Sequence, residues 1–200
     1  MAVFLLIRHA DNNTVGESIA GRLPGIHLNA HGRRQAESLA ERLAGTPLDG
    51  VFSSPLERTR ETAATIAGRQ RVEVEICPGL LEIDYGEWAG VRFCDLESDP
   101  RWRQFNTFRS GTRVPGGELM VEVQARMVGE MEELRRRYPH GTLALVSHGD
   151  PIKTAIAHYA GFPLDLMRRF EISLASVSVL EINDHGPQIV SINSLEGVLR

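Results

Sequence analysis

Two short apolar segments, each with a histidine just past its end, constrain the fold of this 200-residue chain more than any other feature. The first is Val3–Ile7, followed by Arg8 and His9, and the second is Thr142–Ser147, followed by His148. Both are too short for helices and rich in strand-forming residues, so we predict buried strands. Ligands gather at the carboxyl ends of the strands in open α/β sheets. We therefore expect both imidazoles to reach one pocket.

Strand and helix patterns alternate along most of the chain, which predicts an α/β fold with helices on both faces of the sheet. Ser53, Ser54 and Pro55 are expected to cap and open the second helix. The fold class is a three-layer α/β/α arrangement, with a mostly parallel central sheet and a C-terminal antiparallel hairpin, in a single domain over residues 1–200. The predicted strands cover 3–7, 51–52, 72–76, 142–147, 176–182 and 188–192; the helices cover 36–43, 59–66, 119–138 and 150–161; and loops cover 11–29 and 78–90.

Composition excludes several classes of protein. Lys and Arg total 22 against 26 Asp and Glu, a net charge of −4, so the chain lacks the broad basic face of a nucleic-acid binder. The apolar stretch Ala2–Ile7 falls far short of the roughly 18 residues that a membrane helix needs, and it does not resemble a secretory signal. Two cysteines, Cys77 and Cys94, are too few for a disulfide framework and indicate a reducing cytoplasm. An anionic partner must therefore be held by a few local arginines.

Arg58 is a candidate for that role because it follows the second predicted strand, close to the start of a helix. Helix N-termini at this edge of the sheet add free main-chain N–H groups. Together with Arg8, His9 and His148, Arg58 would form a compact anion site in a chain whose overall charge is negative.

Six motifs occur in an order and spacing that resemble the histidine phosphatase superfamily, in its phosphoglycerate mutase-like branch. Each motif is weak alone, but together they extend over almost the whole chain. They are Leu6–His9; Gly21-Arg22 with Gly32-Arg33 and Gln35-Ala36; Ser53–Thr59 with Thr62-Ala63; Leu81-Glu82 with Tyr85–Gly90; Pro115–Glu118; and Val146–Gly149.

The resemblance implies a phosphatase that works through a phosphohistidine. His9 would be the nucleophile, which splits one displacement into two easier ones. Arg8, Arg58 and His148 would surround the phosphoryl oxygens as fixed donors. Gly149 also belongs to the implied phosphate-binding set.

An asparagine shortly after the nucleophile commonly touches the phosphate in this family. Asn12, Asn13 and Thr14 compete for that position, and Asn13 is our prediction. The family most often has glycine directly after the nucleophile, whereas this chain has Ala10, whose methyl group narrows the space beside His9.

Glu82 matches the position of the family's proton donor and would need a raised pKa. Asp84 and Glu87 share its loop, and any of these three acids could instead simply face water. No metal and no cofactor are implied, because the arginines would supply the electrostatic stabilisation that magnesium supplies in many other phosphoryl-transfer enzymes.

The leading hypothesis is a metal-independent phosphatase for a small phosphorylated metabolite. A phosphoglycerate-type mutase is the nearest alternative. The pairs His9-x-Asp11 and His148-x-Asp150 leave open a metal-dependent hydrolase, and Ala10 leaves open a catalytically weak phosphate-binding regulatory module. Residues 92–118 are predicted to form a lid that reads the leaving group. Sugar phosphates, phosphoglycerates, nucleotides and phosphoproteins all fit this composition, and the sequence indicates no oligomeric state.

Overall fold

The computed structural model describes residues 1–196, which contain one six-stranded sheet with the order β3-β2-β4-β1-β5-β6. The first four strands in this order run parallel, β5 is antiparallel to β1, and β6 is antiparallel to β5. The predicted mostly parallel sheet with a C-terminal hairpin is therefore confirmed. The strands are β1 (Ala2–Arg8), β2 (Gly50–Ser53), β3 (Val74–Ile76), β4 (Thr142–Ser147), β5 (Val177–Asn183) and β6 (Gly186–Ser194).

Helices flank both faces of the sheet. Short 3₁₀ turns at Pro78–Leu80 and Gly86–Trp88 occupy the predicted loop, and a third covers Leu164–Arg169. No helix within residues 1–196 combines the length and apolar character needed to cross a bilayer. The α-helices are α1 (Ala30–Leu43), α2 (Glu57–Gln70), α3 (Phe93–Leu96), α4 (Pro100–Thr107), α5 (Met120–Arg137) and α6 (Gly149–Ala160).

Side chains that alternate between the two faces of the sheet form two hydrophobic cores, one on each side. In β1, Leu5 and Ile7 pack into the core that contains the buried faces of α1 and α2. Phe4 and Leu6 point to the opposite face and pack into the core that contains α5 and α6. Because side chains alternate between faces of a strand, a continuous apolar run indicates burial on both sides. The predicted three-layer arrangement is confirmed.

The start of α2 differs from the prediction. Ser53 is the last residue of β2, and α2 begins only at Glu57, with Leu56 as an N-cap that makes no side-chain hydrogen bond. The Ser54 hydroxyl does not cap the helix, because it meets the imidazole of His148 at 2.9 Å. The predicted cap was therefore wrong, and Ser54 contacts a candidate site residue instead.

Residues 92–118 contain α3 and α4 and are anchored by a third core. Leu96, Phe105 and Val114 are buried there beside Trp88. The Trp102 ring packs edge to face on Trp88, with ring centroids 5.2 Å apart. These aromatic residues of the segment therefore stabilise its packing.

Candidate active site

A cavity of about 240 Å³ opens at the carboxyl ends of the parallel strands. The site residues reach it because β1 ends at Arg8, and β4 ends directly before His148 and the start of α6. Within the part of the chain that the structure describes, the cavity is lined by Arg8, His9, Asn12, Thr14, Val15, Gly16, Ser18, Ile19, Ala20, Gly21, Arg58, Glu82, Tyr85, Phe93, Gly149, Asp150, Lys153 and Ile172.

His9 is held as a neutral imidazole. Its Nδ1 lies 2.8 Å from the carbonyl of Ala10, and because a carbonyl only accepts, Nδ1 carries the proton. Burial and the positive charges of Arg58 and Arg8 lower the pKa of His9 well below its ordinary value. Nε2 therefore keeps its lone pair at neutral pH, as a nucleophile requires.

His148 is fully buried and supports Arg58. Arg58 Nη2 donates to His148 Nδ1 at 3.2 Å and to the Gly21 carbonyl at 2.8 Å. His148 Nε2 then carries the proton and donates to Ser54 Oγ. Burial, followed by the charge of Arg58, lowers the pKa of His148 well below its ordinary value. The His148 ring packs edge to face with that of His9, at a centroid distance of 5.2 Å, but it does not line the cavity. Its direct contact with phosphate stays a prediction.

Four buried donor atoms of the cavity-lining residues have no hydrogen-bond partner. They are Arg8 Nε, Arg58 Nε, Arg58 Nη1 and Asn12 Nδ2. The two guanidinium groups are nevertheless fixed, because Arg8 Nη1 donates to the Ile172 carbonyl at 2.6 Å and Arg58 Nη2 is held as described above. A buried donor without an acceptor is costly, so such a cluster indicates a site for an anion with several oxygens.

The asparagine prediction was wrong. Asn13 is exposed and does not line the cavity, whereas Asn12 is buried in its wall. Asn12 Oδ1 accepts from the main-chain N–H of Thr14 at 3.0 Å and from the Thr14 hydroxyl at 2.6 Å. Because Oδ1 is committed to this turn, Nδ2 is the group left for a ligand.

Glu82 is the acid of its loop that lines the cavity. Burial, followed by the charge of Asp150, raises the pKa of Glu82 to about 7. Asp84 instead accepts from the Gly86 N–H, and Glu87 pairs with Arg101 at the surface. A carboxyl group poised near neutral pH can both donate and accept a proton.

Two arginines that sequence reasoning left without a role hold this loop. Arg22 Nε and Arg126 Nη2 both donate to the main-chain carbonyl of Glu82, at 2.8 and 3.0 Å. Both guanidinium groups also pair with Glu118. Arg22 and Glu118 lie in motifs that resemble those of the family, so the sequence offered a reason to expect a role for them. Arg126 lies in an amphipathic helix, and nothing in the sequence around it indicates a role.

Ala10 causes no backbone strain. It is absent from the non-glycine residues with positive φ in the described chain, and its methyl group is fully buried in the core under α1 and α2. Its N–H donates to Thr62 Oγ1 at 3.1 Å. The residue that supported a catalytically weak module is therefore an ordinary core alanine.

The carboxylates of the two His-x-Asp pairs are engaged by protein donors. Asp11 accepts from the Asn12 N–H and the Asn29 amide, and Asp150 accepts from Tyr85 and Arg109. Residues 1–196 contain no group of three His, Cys, Asp or Glu side chains arranged to hold a metal ion.

Comparison with known proteins agrees with this geometry. Residues 4–195 match the family model described as histidine phosphatase superfamily (branch 1). Phosphoserine phosphatase 1 of Hydrogenobacter thermophilus is 31% identical over 198 residues, which cover 96% of this chain and 92% of the relative. A probable phosphoglycerate mutase of Proteus mirabilis is 32% identical over 180 residues, which cover 86% of this chain and 81% of the relative.

A crystal structure of a phosphoserine phosphatase mutant from Entamoeba histolytica, in complex with phosphoserine, superimposes with a TM-score of 0.88 at 28% sequence identity. The match covers 100% of both chains. The matched relatives include both phosphatases and a mutase of one superfamily. This chain belongs to the histidine phosphatase superfamily.

Proposed function

We propose that this chain hydrolyses a small phosphomonoester, with His9 as the residue that carries the phosphoryl group. The observation that carries the proposal is the set of unpartnered donors on Arg8, Asn12 and Arg58 around a neutral His9. A cavity of about 240 Å³ suits a metabolite more than a larger ligand. The phosphoserine and phosphoglycerate chemistry in the relatives' names supports the same size class.

In the first step, the lone pair on His9 Nε2 attacks phosphorus. The bond between phosphorus and the ester oxygen breaks, and protonated Glu82 gives its proton to the departing oxygen. Arg8, Arg58, Asn12 and the first N–H groups of α6, beginning at Gly149, hold the three phosphoryl oxygens.

In the second step, the ionised Glu82 takes a proton from water, and the resulting nucleophile attacks phosphorus. The P–N bond to His9 breaks, inorganic phosphate leaves, and His9 is again neutral. His148 contributes by fixing Arg58. Its direct contact with the phosphoryl group belongs to this proposal.

The test is trapping of the phosphoenzyme. The wild-type enzyme, mixed with a ³²P-labelled phosphomonoester and quenched, should retain label on histidine, which is acid-labile and stable to alkali. His9→Ala should lose the label and on the order of 10⁴-fold or more of the turnover. His27→Ala is the matched control because His27 is an exposed histidine outside the cavity. Full turnover by His9→Ala would refute the assignment.

A mutase is the second candidate, favoured by the Proteus mirabilis relative. Mutases of this family generally have longer insertions around the pocket, so hydrolysis is our preferred reaction. Inorganic phosphate release and the interconversion of 2- and 3-phosphoglycerate should be measured in the same samples. Interconversion without phosphate release would replace the phosphatase assignment.

The lid over residues 92–118 and the cytoplasmic location also belong to this proposal. Phe93 of α3 lines the cavity, which supports contact between the segment and the leaving group. Cys77 and Cys94 are both free thiols, as a reducing compartment allows.

A further inference from the structure

Two large apolar side chains that line the cavity are left open to solvent. Val15 and Phe93 are each 37% exposed, although both belong to the cavity lining. An exposed apolar surface on a monomer often marks a binding site, and the lining of a small-molecule pocket combines such surface with a few polar groups. Here the apolar side chains lie in the same cavity as the unpartnered donors that indicate a phosphate site.

Main-chain hydrogen bonds connect the two segments that carry these side chains. The Phe93 N–H donates to the carbonyl of Glu17 at 3.1 Å, and the Ile19 N–H donates to the carbonyl of Val91 at 3.0 Å. The loop after β1 is therefore paired with the segment that leads into α3. Because of this pairing, Val15 and Phe93 are held on adjoining segments of the cavity, and we call these two side chains the apolar wall.

The charged side chains that line the cavity beside the phosphate-binding donors already have protein partners. Asp150 accepts from Tyr85 and Arg109, at 2.8 Å each. Lys153 pairs with Glu171 at 3.6 Å. The proposed proton donor meets the ester oxygen and not the remainder of the leaving group. Within residues 1–196, the cavity thus presents no unmet charge that would select a charged leaving group, and removal of apolar surface from water is the contribution left to its wall.

We propose that the apolar wall binds the leaving group, and that the substrate is a phosphomonoester whose leaving group presents a hydrocarbon surface to Val15 and Phe93. The phosphate occupies the donors of Arg8, Asn12 and Arg58, and the hydrocarbon displaces water from the apolar wall. This inference rests on the proposed function and names the class of leaving group for the same site. Val15 and Phe93 are then specificity-determining residues.

Desolvation separates this class from polyhydroxylated esters. A hydroxyl group placed against Val15 and Phe93 loses hydrogen bonds to water, and neither side chain offers a donor or an acceptor in return. A methylene group at the same place leaves water favourably, and each one that is buried increases affinity by about threefold to fourfold. The cavity should therefore favour a hydrocarbon leaving group over a hydroxylated analogue of the same length.

Four esters measure this preference. Ethyl, propyl and butyl phosphate lengthen the hydrocarbon by one methylene at a time, and glycerol 3-phosphate is propyl phosphate with two hydroxyl groups added. All four leaving groups are alkoxides that need a proton, so the demand on the proton donor is similar. The value of kcat/KM should rise by about threefold for each methylene, mainly through KM, and propyl phosphate should exceed glycerol 3-phosphate by about tenfold or more.

Variants assign the preference to the apolar wall. In Phe93→Ala, the ratio of kcat/KM for butyl over ethyl phosphate should fall from about tenfold to about twofold. Val15→Thr keeps the shape of the side chain but adds a hydroxyl group, and it should also lower this ratio. Phe108→Ala is the matched control and should keep the wild-type ratio, because Phe108 is an exposed phenylalanine of the same 92–118 segment that does not line the cavity. An unchanged ratio in both Phe93→Ala and Val15→Thr would overturn the assignment.

A binding measurement separates this inference from the proposed function. Ethyl-, propyl- and butylphosphonate have a P–C bond in place of the ester bond and are not hydrolysed, so calorimetry can measure their affinity for the wild-type enzyme. If affinity rises with chain length while none of the four esters releases phosphate, the proposed function fails and the apolar wall stands. If phosphate is released but neither kcat/KM nor phosphonate affinity depends on chain length, the apolar wall fails and the phosphatase stands.

Discussion

The guanidinium of Arg126 is bonded to the main chain of Glu82, with Nη2 donating to the Glu82 carbonyl at 3.0 Å. Arg126 Nη1 also donates to the carbonyls of Gly79 and Leu81, at 2.9 and 2.6 Å. One side chain on α5 therefore fixes the loop that presents the proposed proton donor. Through these hydrogen bonds, helix α5 of the outer layer determines where Glu82 lies in the cavity.

Replacing Arg126 should impair catalysis more than binding. Arg126→Met should lower kcat with little change in KM, because the Glu82 carboxyl is less well placed in the transition state. The free energy of unfolding should fall by about 2 kcal/mol, since several largely buried hydrogen bonds are lost. Steady-state kinetics and urea unfolding measure both effects.

Arg137→Met is the matched control because its partner Glu75 is at the surface. Such exposed pairs contribute about 1 kcal/mol or less. A variant Arg126→Met with wild-type kcat would show that Arg126 does not position Glu82.

Asn12 and Asn13 form a natural pair for mutagenesis. Asn12→Ala removes an unpartnered Nδ2 donor of the cavity and should reduce kcat/KM by roughly tenfold to a hundredfold. Asn13→Ala changes an exposed side chain and should stay within about twofold of wild type. Kinetics on the same phosphomonoester compare the two, and the reverse order of effects would contradict the assignment.

The strands were predictable from local periodicity, and so was the placement of His9 and His148 just past the ends of β1 and β4. The choice between Asn12 and Asn13 was not, since it depends on which side chain closes the turn with Thr14. The role of Arg126 could not be predicted from the sequence either, because its hydrogen-bond partners lie 44 to 47 residues away along the chain.

The pH dependence of the first step should report Glu82. Its pKa is raised to about 7, and the protonated form is the acid, so phosphoenzyme formation from an alkyl phosphate should slow as pH rises through about 7. Rapid-quench measurements of the phosphoenzyme follow this step. The leaving group of p-nitrophenyl phosphate needs no proton, so the rate of phosphoenzyme formation from this substrate should decrease only weakly as pH rises through about 7. An equally large decrease with both substrates would exclude Glu82 as the acid.

The raised pKa of Glu82 should also make the free energy of unfolding depend on pH. Between its ordinary pKa of 4.5 and about 7, Glu82 binds its proton more tightly in the native state than in the unfolded state. Its contribution to the free energy of unfolding should therefore decrease as pH rises through that window. Glu82→Gln should flatten this part of the stability profile measured by urea unfolding, and an unchanged slope would contradict the raised pKa.

Ala10→Gly should not improve the enzyme. Ala10 has no positive φ, and its methyl group is buried, so glycine adds conformational entropy to the unfolded chain and removes a packed group. We expect a loss of about 1 to 2 kcal/mol in the free energy of unfolding, with kcat within about threefold of wild type. A large gain in kcat would mean that the Ala10 methyl restricts the reaction.

Chelation separates the phosphohistidine route from the metal-dependent alternative. Because Asp11 and Asp150 are occupied by protein donors, prolonged treatment with EDTA should leave turnover unchanged, whereas vanadate should inhibit. Loss of turnover in EDTA that added divalent cation restores would favour the metal-dependent reaction.

The unpartnered donors come from two separated parts of the chain, Arg8 and Asn12 in one and Arg58 in the other. An oxyanion that satisfies them acts as a non-covalent cross-link between the segment at the end of β1 and the start of α2. The folded state should consequently be stabilised by orthophosphate, with a melting temperature that climbs with the concentration of the ion. Because orthophosphate is also the reaction product, the fraction of the enzyme that has product bound should determine how far the melting temperature rises.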